Sequence, residues 1–356
     1  MNPLPPITYV SNIYPAPLDP ARGTFVENSL LGLRSEGREV GIITLDRSLH
    51  PLRAYLRFYW EVVRRLRREE GIAYVHYVSH SALPVVLAKL WNRRLRVALH
   101  FHGSDAFPES FENRARRFVK HLVCRLAIAS ADDVLAPSGP FADRLRAKFR
   151  IPDGDVSVNA SAGVDRSTFQ PHRRPERDTK HVVFAGRMIE GKGAAAAARA
   201  LRRAFDQDGD DLRATFIGDG PEREEAEATL RAETGAGAVG FVPPVDQPRL
   251  AEYYQDADIL LFPSTREGES LGLVMIEAIF CGAVPVAFDN PTARSILGGV
   301  DSPRLLADDE DDLARILSEL RALPSSQLRA INDRLLADTA HFDSDVVSRE
   351  LSRILR

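Results

Sequence analysis

At 356 residues the chain exceeds the roughly 250–300 residues that a single hydrophobic core usually serves, so two domains are expected. A formal net charge of −3 argues against a general nucleic-acid binder. The charge is divided unevenly, with about 23 Lys and Arg against about 17 Asp and Glu in residues 1–165, and about 24 against about 33 in the remainder. The two cysteines, Cys124 and Cys281, stand far apart in apolar surroundings, which excludes a disulfide framework and points to a reducing cytoplasm. No Cys/His grouping has metal-ligand spacing. The first residues lack the basic and apolar regions of a secretory signal, so none is expected. The apolar run over residues 271–288 is long enough to raise the membrane question, but Glu277, Gly282 and Pro285 divide it into a helix and a strand.

Strand-like and helix-like segments alternate along the chain, the pattern of parallel sheets with crossover helices. Residues 7–10 read as the first strand, and a loop containing Gly23 leads into a helix over 24–36 that Gly37 ends as a cap. Residues 40–45 form the second strand. A helix over 52–68 places Leu52, Tyr55, Leu56, Tyr59, Val63 and Leu66 on one face, with its arginines largely elsewhere. Such a face either packs on its own sheet or lies on an anionic membrane. Arg114, Arg116, Arg117 and Lys120 add positive charge to the same half. Further strands fall at 74–77, 96–101, 134–136 and 156–158. The segment 167–180, with two prolines and mixed charges, reads as a linker. A second alternation then runs through 181–185, 214–217, 239–241, 259–262, 284–287 and 304–306.

The strand at 259–262 ends at Pro263-Ser264, and Glu269 and Glu277 follow eight positions apart across a glycine-bearing loop that opens into an apolar helix. Ligands of open α/β sheets bind beyond the carboxyl ends of the strands, where the first amides of the next helix are free to donate. If the two glutamates shared one helix they would lie roughly 12 Å apart along its axis. A retaining glycosidase needs about 5–5.5 Å, so separate roles fit better than an acid/base pair.

The Glu269-x7-Glu277 segment with Gly272 and Ala278, continued by Cys281-Gly282-Ala283-Val284-Pro285-Val286, resembles the retaining glycosyltransferases of family 4. Three more segments extend the resemblance: Gly186-Arg187 followed by Lys192-Gly193, then Ile217-Gly218-Asp219-Gly220-Pro221-Glu222, and in the first half His102-Gly103-Ser104-Asp105. It implies a GT-B fold, α/β, with two Rossmann-like doubly wound domains facing a central cleft. Residues 1–165, completed by a returning helix at about 343–356, would bind the acceptor, and residues 166–342 the nucleotide-sugar donor.

The resemblance also implies roles. Arg187 and Lys192 would meet the leaving pyrophosphate; a cation about 4 Å from a phosphate oxygen contributes on the order of 4 kcal/mol at an effective dielectric near 20. The alternative is two surface cations beside a tight turn. Glu269 with the amides of Ser270, Leu271, Gly272 and Leu273 would hold the transferred sugar, and Glu277 the ribose diol. Glu277 would otherwise be a buried carboxylate capping a neighbouring loop. His102 would face the sugar, while His100 is expected on the other side of its strand, packed in the core. Gly23, Gly186 and Gly218 would let phosphate approach the backbone, and for Gly23 a simple helix-entry turn is the equal alternative. Two segments depart from the family pattern, Ser161-Ala162-Gly163-Val164-Asp165 and Asp289-Asn290-Pro291-Thr292-Ala293-Arg294.

No nucleophile stands beside an activating base, and no Asp-x-Asp motif is suitably placed, so neither a covalent intermediate nor a metal or other cofactor is implied. The expected partners are a UDP- or GDP-sugar and a glycan or lipid-linked acceptor, in the cytoplasm or peripherally on its membrane face. A catalytically silent nucleotide-sugar-binding subunit, or an epimerase or hydrolase on the same fold, would share the donor motifs.

Overall fold

The computed structural model describes residues 4–16, 23–109, 111–172, 177, 179–208, 212–235, 238–300 and 304–356. The chain divides into two compact units, Met1–Gly163 with Ser344–Arg356, and Val164–Asp343.

The first unit runs β1 (Ile7–Ser11), α1 (Thr24–Ser35), β2 (Val40–Thr44), α2 (Pro51–Leu66), β3 (Ile72–His76) and α3 (Val78–Trp91). It continues through β4 (Arg96–His100), α4 (Arg114–Ser130), β5 (Asp133–Ala136), α5 (Gly139–Phe149) and β6 (Val156–Val158). Every strand pair is parallel, in the order β2-β1-β3-β4-β5-β6. The apolar strands feed two cores. One face of the sheet packs on Phe58, Val62 and Leu66 of α2, Val85 of α3, Cys124 of α4 and Phe141 of α5. The other packs on Val26, Leu30 and Leu33 of α1.

The second unit runs β7 (Lys180–Ala185), α6 (Ala194–Asp208), β8 (Leu212–Ile217), α7 (Arg223–Thr229), α8 (Arg231–Gly235), β9 (Val239–Val242) and α9 (Gln247–Asp256). It is completed by β10 (Ile259–Phe262), α10 (Leu273–Cys281), β11 (Val284–Phe288), α11 (Pro291–Leu297), β12 (Leu306–Ala307), α12 (Glu310–Ala322) and α13 (Ser325–Asp338). Its parallel sheet has the order β12-β11-β10-β7-β8-β9. The last strand begins two residues later than the sequence pattern suggests, at Leu306, and residues 301–303 before it lie outside the described set. So do residues 173–176 and 178 of the expected linker and 17–22 of the loop before Gly23.

The chain then returns. α14 (Ser344–Ile354) sets Leu351 and Leu355 into the α1 side of the first unit's core. Buried Arg38 fixes its end, donating to the carbonyls of Ser352 at 3.0 Å and Leu355 at 2.6 Å. A guanidinium on the last carbonyls of a helix satisfies acceptors that have no intrahelical partner.

Two expectations about the first unit are corrected. The core-facing stripe of α2 is Ala54, Phe58, Val62 and Leu66, not the face through Leu52 and Leu56, both of which are exposed. The stripe is set by where the helix lands on its sheet, and α2 carries apolar residues on more than one side. Lys120 does not add to a basic surface: it is buried, donating to Glu112 at 2.6 Å and to the Ser104 carbonyl at 3.2 Å. Both cysteines are free and buried, and no helix among the described residues is long and apolar enough to cross a membrane.

Because Leu351 is fully buried, Leu351→Ala is expected to destabilise the first unit by about 2–4 kcal/mol. Urea denaturation followed by hydrogen exchange should show faster exchange in β1 and β3, with β7 and β10 unchanged.

Candidate active site

In the second unit the strand order reverses between β7 and β10, the position at which an open parallel sheet forms its crevice. Residues 186–193 leave β7 there and residues 263–272 leave β10. Backbone meets backbone at this edge. Gly193 (φ +84°) lies so close to the Pro263 carbonyl, and Gly218 (φ +136°) to the Gly186 carbonyl, that a Cβ at either would overlap that oxygen. Thr265 N–H donates to Gly191 at 2.9 Å and Met188 N–H to Asp219 at 2.8 Å.

These contacts bring Lys192 to Glu269. Lys192 Nζ donates to Glu269 Oε2 at 2.7 Å, and Ser264 Oγ donates to the same oxygen at 3.0 Å. Burial alone would raise the Glu269 pKa, but the ammonium and the hydroxyl outweigh it and hold the carboxyl below its ordinary value. Arg187 stands exposed in the same segment as Lys192. The segment that departs from the family pattern braces the loop: Thr292 Oγ1 donates to the Glu269 carbonyl at 3.1 Å and Asn290 Nδ2 to that of Ser264 at 3.1 Å. Asn290 also caps α11, accepting from Ala293 N–H.

Buried Leu271 and half-buried Ser270 lead to Gly272, the left-handed N-cap of α10, where no side chain caps the first turn. The first amides of α10 therefore face the strand-end loop uncapped, a arrangement suited to oxygen ligands. The N-terminus of α6 is different. There the Glu222 carboxylate takes the amides of Ala195 and Ala194, a cap the sequence reading did not single out.

Glu277 sits inside α10, buried, with no hydrogen bond or ion pair among the described residues. Burial pushes its pKa up to about 7. It caps no loop; Asn332 does that work, donating to the carbonyls of Ile279 at 3.0 Å and Ala283 at 2.9 Å. Glu277 is thus a carboxylate with acceptor capacity that the fold leaves unused.

In the first unit the order reverses between β1 and β3, and the ends of β3 and β4 carry a histidine cluster. His76 and His100 are register partners, and His102 follows the end of β4. His100 and His102 are not on opposite sides: their rings lie 4.6 Å apart at 28°, as residues two apart along an extended chain share a face. The His100 ring is buried, bonded to Tyr74 Oη at 2.5 Å. His76 Nδ1 and His102 Nε2 are 2.8 Å apart in planes within 5°, an edge-to-edge hydrogen bond. Burial lowers the pKa of all three, His100 to about 3, so they are neutral at pH 7.

Neutrality fixes the tautomers. His76 Nε2 is buried without a partner, and an unpaired buried N–H is costlier than an unpaired acceptor. The His76 proton therefore sits on Nδ1 and is donated to His102, whose own proton sits on Nδ1. Although the three rings lie within ligand range of one another, the lone pairs of His76 and His102 that meet are already joined by this proton. Phe25 and Tyr77 hold the other sides of the His102 ring, at 4.9 and 5.3 Å between centroids.

Asp105 organises the loop. Its buried carboxylate accepts from the N–H groups of His102, Gly103 and Ala106, each at 3.0 Å, and from Val78 at the start of α3 at 3.1 Å. Burial raises its pKa against the pull of these amides. Gly23, left-handed at φ +77°, is the N-cap of α1, and a side chain there would strike Ile13.

Residues 19–165 match the family model described as Glycosyltransferase Family 4, and residues 179–322 the one described as Glycosyl transferases group 1. The chain belongs to the family 4 glycosyltransferases. Among curated relatives, the phosphatidyl-myo-inositol mannosyltransferase of Mycolicibacterium smegmatis is 32% identical over 209 residues, 56% of this chain and 52% of that protein. The D-inositol 3-phosphate glycosyltransferase of Jonesia denitrificans is 37% identical over 243 residues, 61% of this chain and 55% of that one. In both cases the match spans little more than half of the relative's length. Among solved structures, the sucrose-phosphate synthase of Thermosynechococcus elongatus aligns with a TM-score of 0.77 at 16% identity, over 98% of each chain. HepE of Anabaena, in complex with UDP and glucose, aligns at 0.74 and 17%, over 99% of each. These likenesses establish the GT-B fold of this family 4 member.

Two predictions follow from the buried carboxylates. Asp105→Ala leaves four amides without their acceptor and is expected to cost roughly 3–5 kcal/mol in urea denaturation. A carboxyl with a raised folded pKa favours folding at low pH, and that contribution is lost as pH rises from the ordinary carboxylate range through about 7. Glu277→Gln escapes the loss. Its stability advantage over the wild type should be near zero at pH 4 and reach about 3 kcal/mol by pH 8; a pH-independent difference would contradict the burial argument.

Proposed function

We propose that the chain is a retaining glycosyltransferase that moves a sugar from a UDP- or GDP-sugar to a hydroxyl of a glycan or lipid-linked acceptor, in polysaccharide, lipopolysaccharide or glycolipid assembly. The single observation that carries this reading is Glu277: a buried, unpartnered carboxylate in α10, the helix that follows switch-point strand β10 and the loop holding Glu269. A vicinal diol supplies the two hydroxyl donors such a carboxylate lacks, and the ribose of a nucleotide is one. Family membership and the nucleotide and sugar bound by HepE support the same ligand class.

The residues divide the work. Arg187 and Lys192 stabilise the charge that develops on the departing diphosphate, together with the uncapped amides after Gly272. Gly186, where a side chain would meet open space, allows oxygen ligands to approach the backbone, and Gly218 lets its own loop close on the Gly186 carbonyl. Glu269, kept ionised by Lys192, takes hydroxyls of the transferred sugar alongside Ser270, Leu271 and Leu273. His102, carrying its proton on Nδ1, donates to the sugar. The anomeric bond to phosphate breaks as the acceptor oxygen bonds to the same face of that carbon, and the acceptor's proton passes to the departing phosphate. No protein nucleophile, metal or other cofactor enters this scheme. The lipid-linked acceptor is favoured by the positive first half of the chain and by the phosphatidyl-inositol acceptor in the name of one relative.

A thermal-shift panel of UDP-, GDP- and ADP-sugars tests the donor site. At about 100 times its dissociation constant, the correct donor should add about 2.7 kcal/mol of stability to the wild type. Lys192→Ala and Glu277→Gln should lose that shift. No shift from any nucleotide sugar, or an equal shift in both variants, would sink the assignment.

A further inference from the structure

The layer formed by α2, α3 and α4 presents to solvent side chains that a globular core would hold. α2 buries one stripe and leaves a second, with Leu52, Leu56 and Trp60 at 65%, 63% and 64% exposure. α3 packs between α2 and α4 and ends on exposed Leu90 and Trp91. α4 buries Cys124 and Ala127 while Phe118, Leu122 and Leu126 stand exposed, again four residues apart. Single exposed apolar residues need no explanation, but stripes on three adjacent helices of one layer do. Both tryptophans of the chain, Trp60 and Trp91, belong to this layer.

Charge selects the occupant. Glu61 is the one acidic residue in the three helices, whereas Arg53, Arg57, Arg64, Arg116 and Arg125 project from them exposed. Arg53, Arg64, Arg116 and Arg125 form no ion pair among the described residues. The Arg64 guanidinium lies 5.0 Å over the Trp60 ring, in a shallow hollow also lined by Tyr59, Val63 and Arg67. A second copy of the chain would set arginine against arginine across such a surface. A bilayer bearing anionic headgroups takes both parts: apolar side chains enter the boundary between headgroups and acyl chains, tryptophans sit at that depth, and arginines meet phosphates.

We propose that the exposed face of α2, α3 and α4 is a docking surface for anionic lipid bilayers. The inference is independent of the donor site, and its test needs no activity. The full chain is mixed with vesicles of phosphatidylcholine alone or of phosphatidylcholine with phosphatidylglycerol, at low and high salt, and followed by sedimentation and intrinsic tryptophan emission. The wild type should sediment with the anionic vesicles, with a blue-shifted emission because both reporters lie on the face, and release at high salt. Trp60→Glu combined with Leu122→Glu should abolish sedimentation. Arg53→Ser combined with Arg116→Ser should weaken it roughly 30-fold and leave thermal stability unchanged, since both side chains are exposed. Absence of sedimentation with anionic vesicles, or sedimentation undiminished in both double variants, would overturn the proposal. So would a concentration-dependent dimer, lost in the Trp60→Glu/Leu122→Glu variant, in a protein that ignores the vesicles.

Discussion

The contact on which the second unit's site depends is between backbones. At Gly218 and Gly193 the chain passes so near the carbonyls of Gly186 and Pro263 that no side chain fits between the loops leaving β7, β8 and β10. Those strands are parallel, so their loops emerge along one edge, and the glycines let the loops close on each other there. The position of Lys192 relative to Glu269 is therefore set by main-chain packing and the Thr265–Gly191 hydrogen bond rather than by two long side chains finding each other. A larger residue at either glycine would move a loop, and with it the ion pair.

Electrostatics then separates two glutamates that the sequence presents as a matched pair. Both are buried, but Glu269 has an ammonium and a hydroxyl on its carboxylate, and Glu277 has neither. The first is held ionised and the second is poised near neutrality. Burial alone is common to both, so the partner decides the difference. The histidine cluster of the first unit follows the same logic in reverse. Burial strips its charge, and what remains is a directional relay of hydrogen bonds in which His76 settles the proton position on His102.

Much of this was legible in the residues. The strand runs ending at Gly186, Gly218 and Pro263 gave the alternation and located the crevice, because apolar periodicity and glycine punctuation are local properties. The roles of Asp105 and His76 were not legible: one gathers amides from two elements, and the other meets His102 only because β3 and β4 are neighbours. Strand adjacency is not written into either strand. The face of α2 was misread for a related reason. A helix with apolar residues on several sides buries the stripe its sheet can receive, and Phe58 and Val62 won over Leu52 and Leu56. Asn290 and Thr292 looked like departures from a pattern, yet they hold the Glu269 loop through carbonyl contacts that many sequences could make.

The returning helix has a consequence for the order of assembly. Residues 344–356 belong to the first unit, where Leu351 and Leu355 complete the core beside α1 and Arg38 closes on the last carbonyls. The second unit, by contrast, is continuous from Val164 to Asp343. During synthesis from the N-terminus the unit that is begun first is the one that is finished last, and its α1 side stays open to water while all of the second unit is being made. The nascent chain thus carries an unfinished apolar surface until residues 344–356, which cover it, have followed the whole of the second unit.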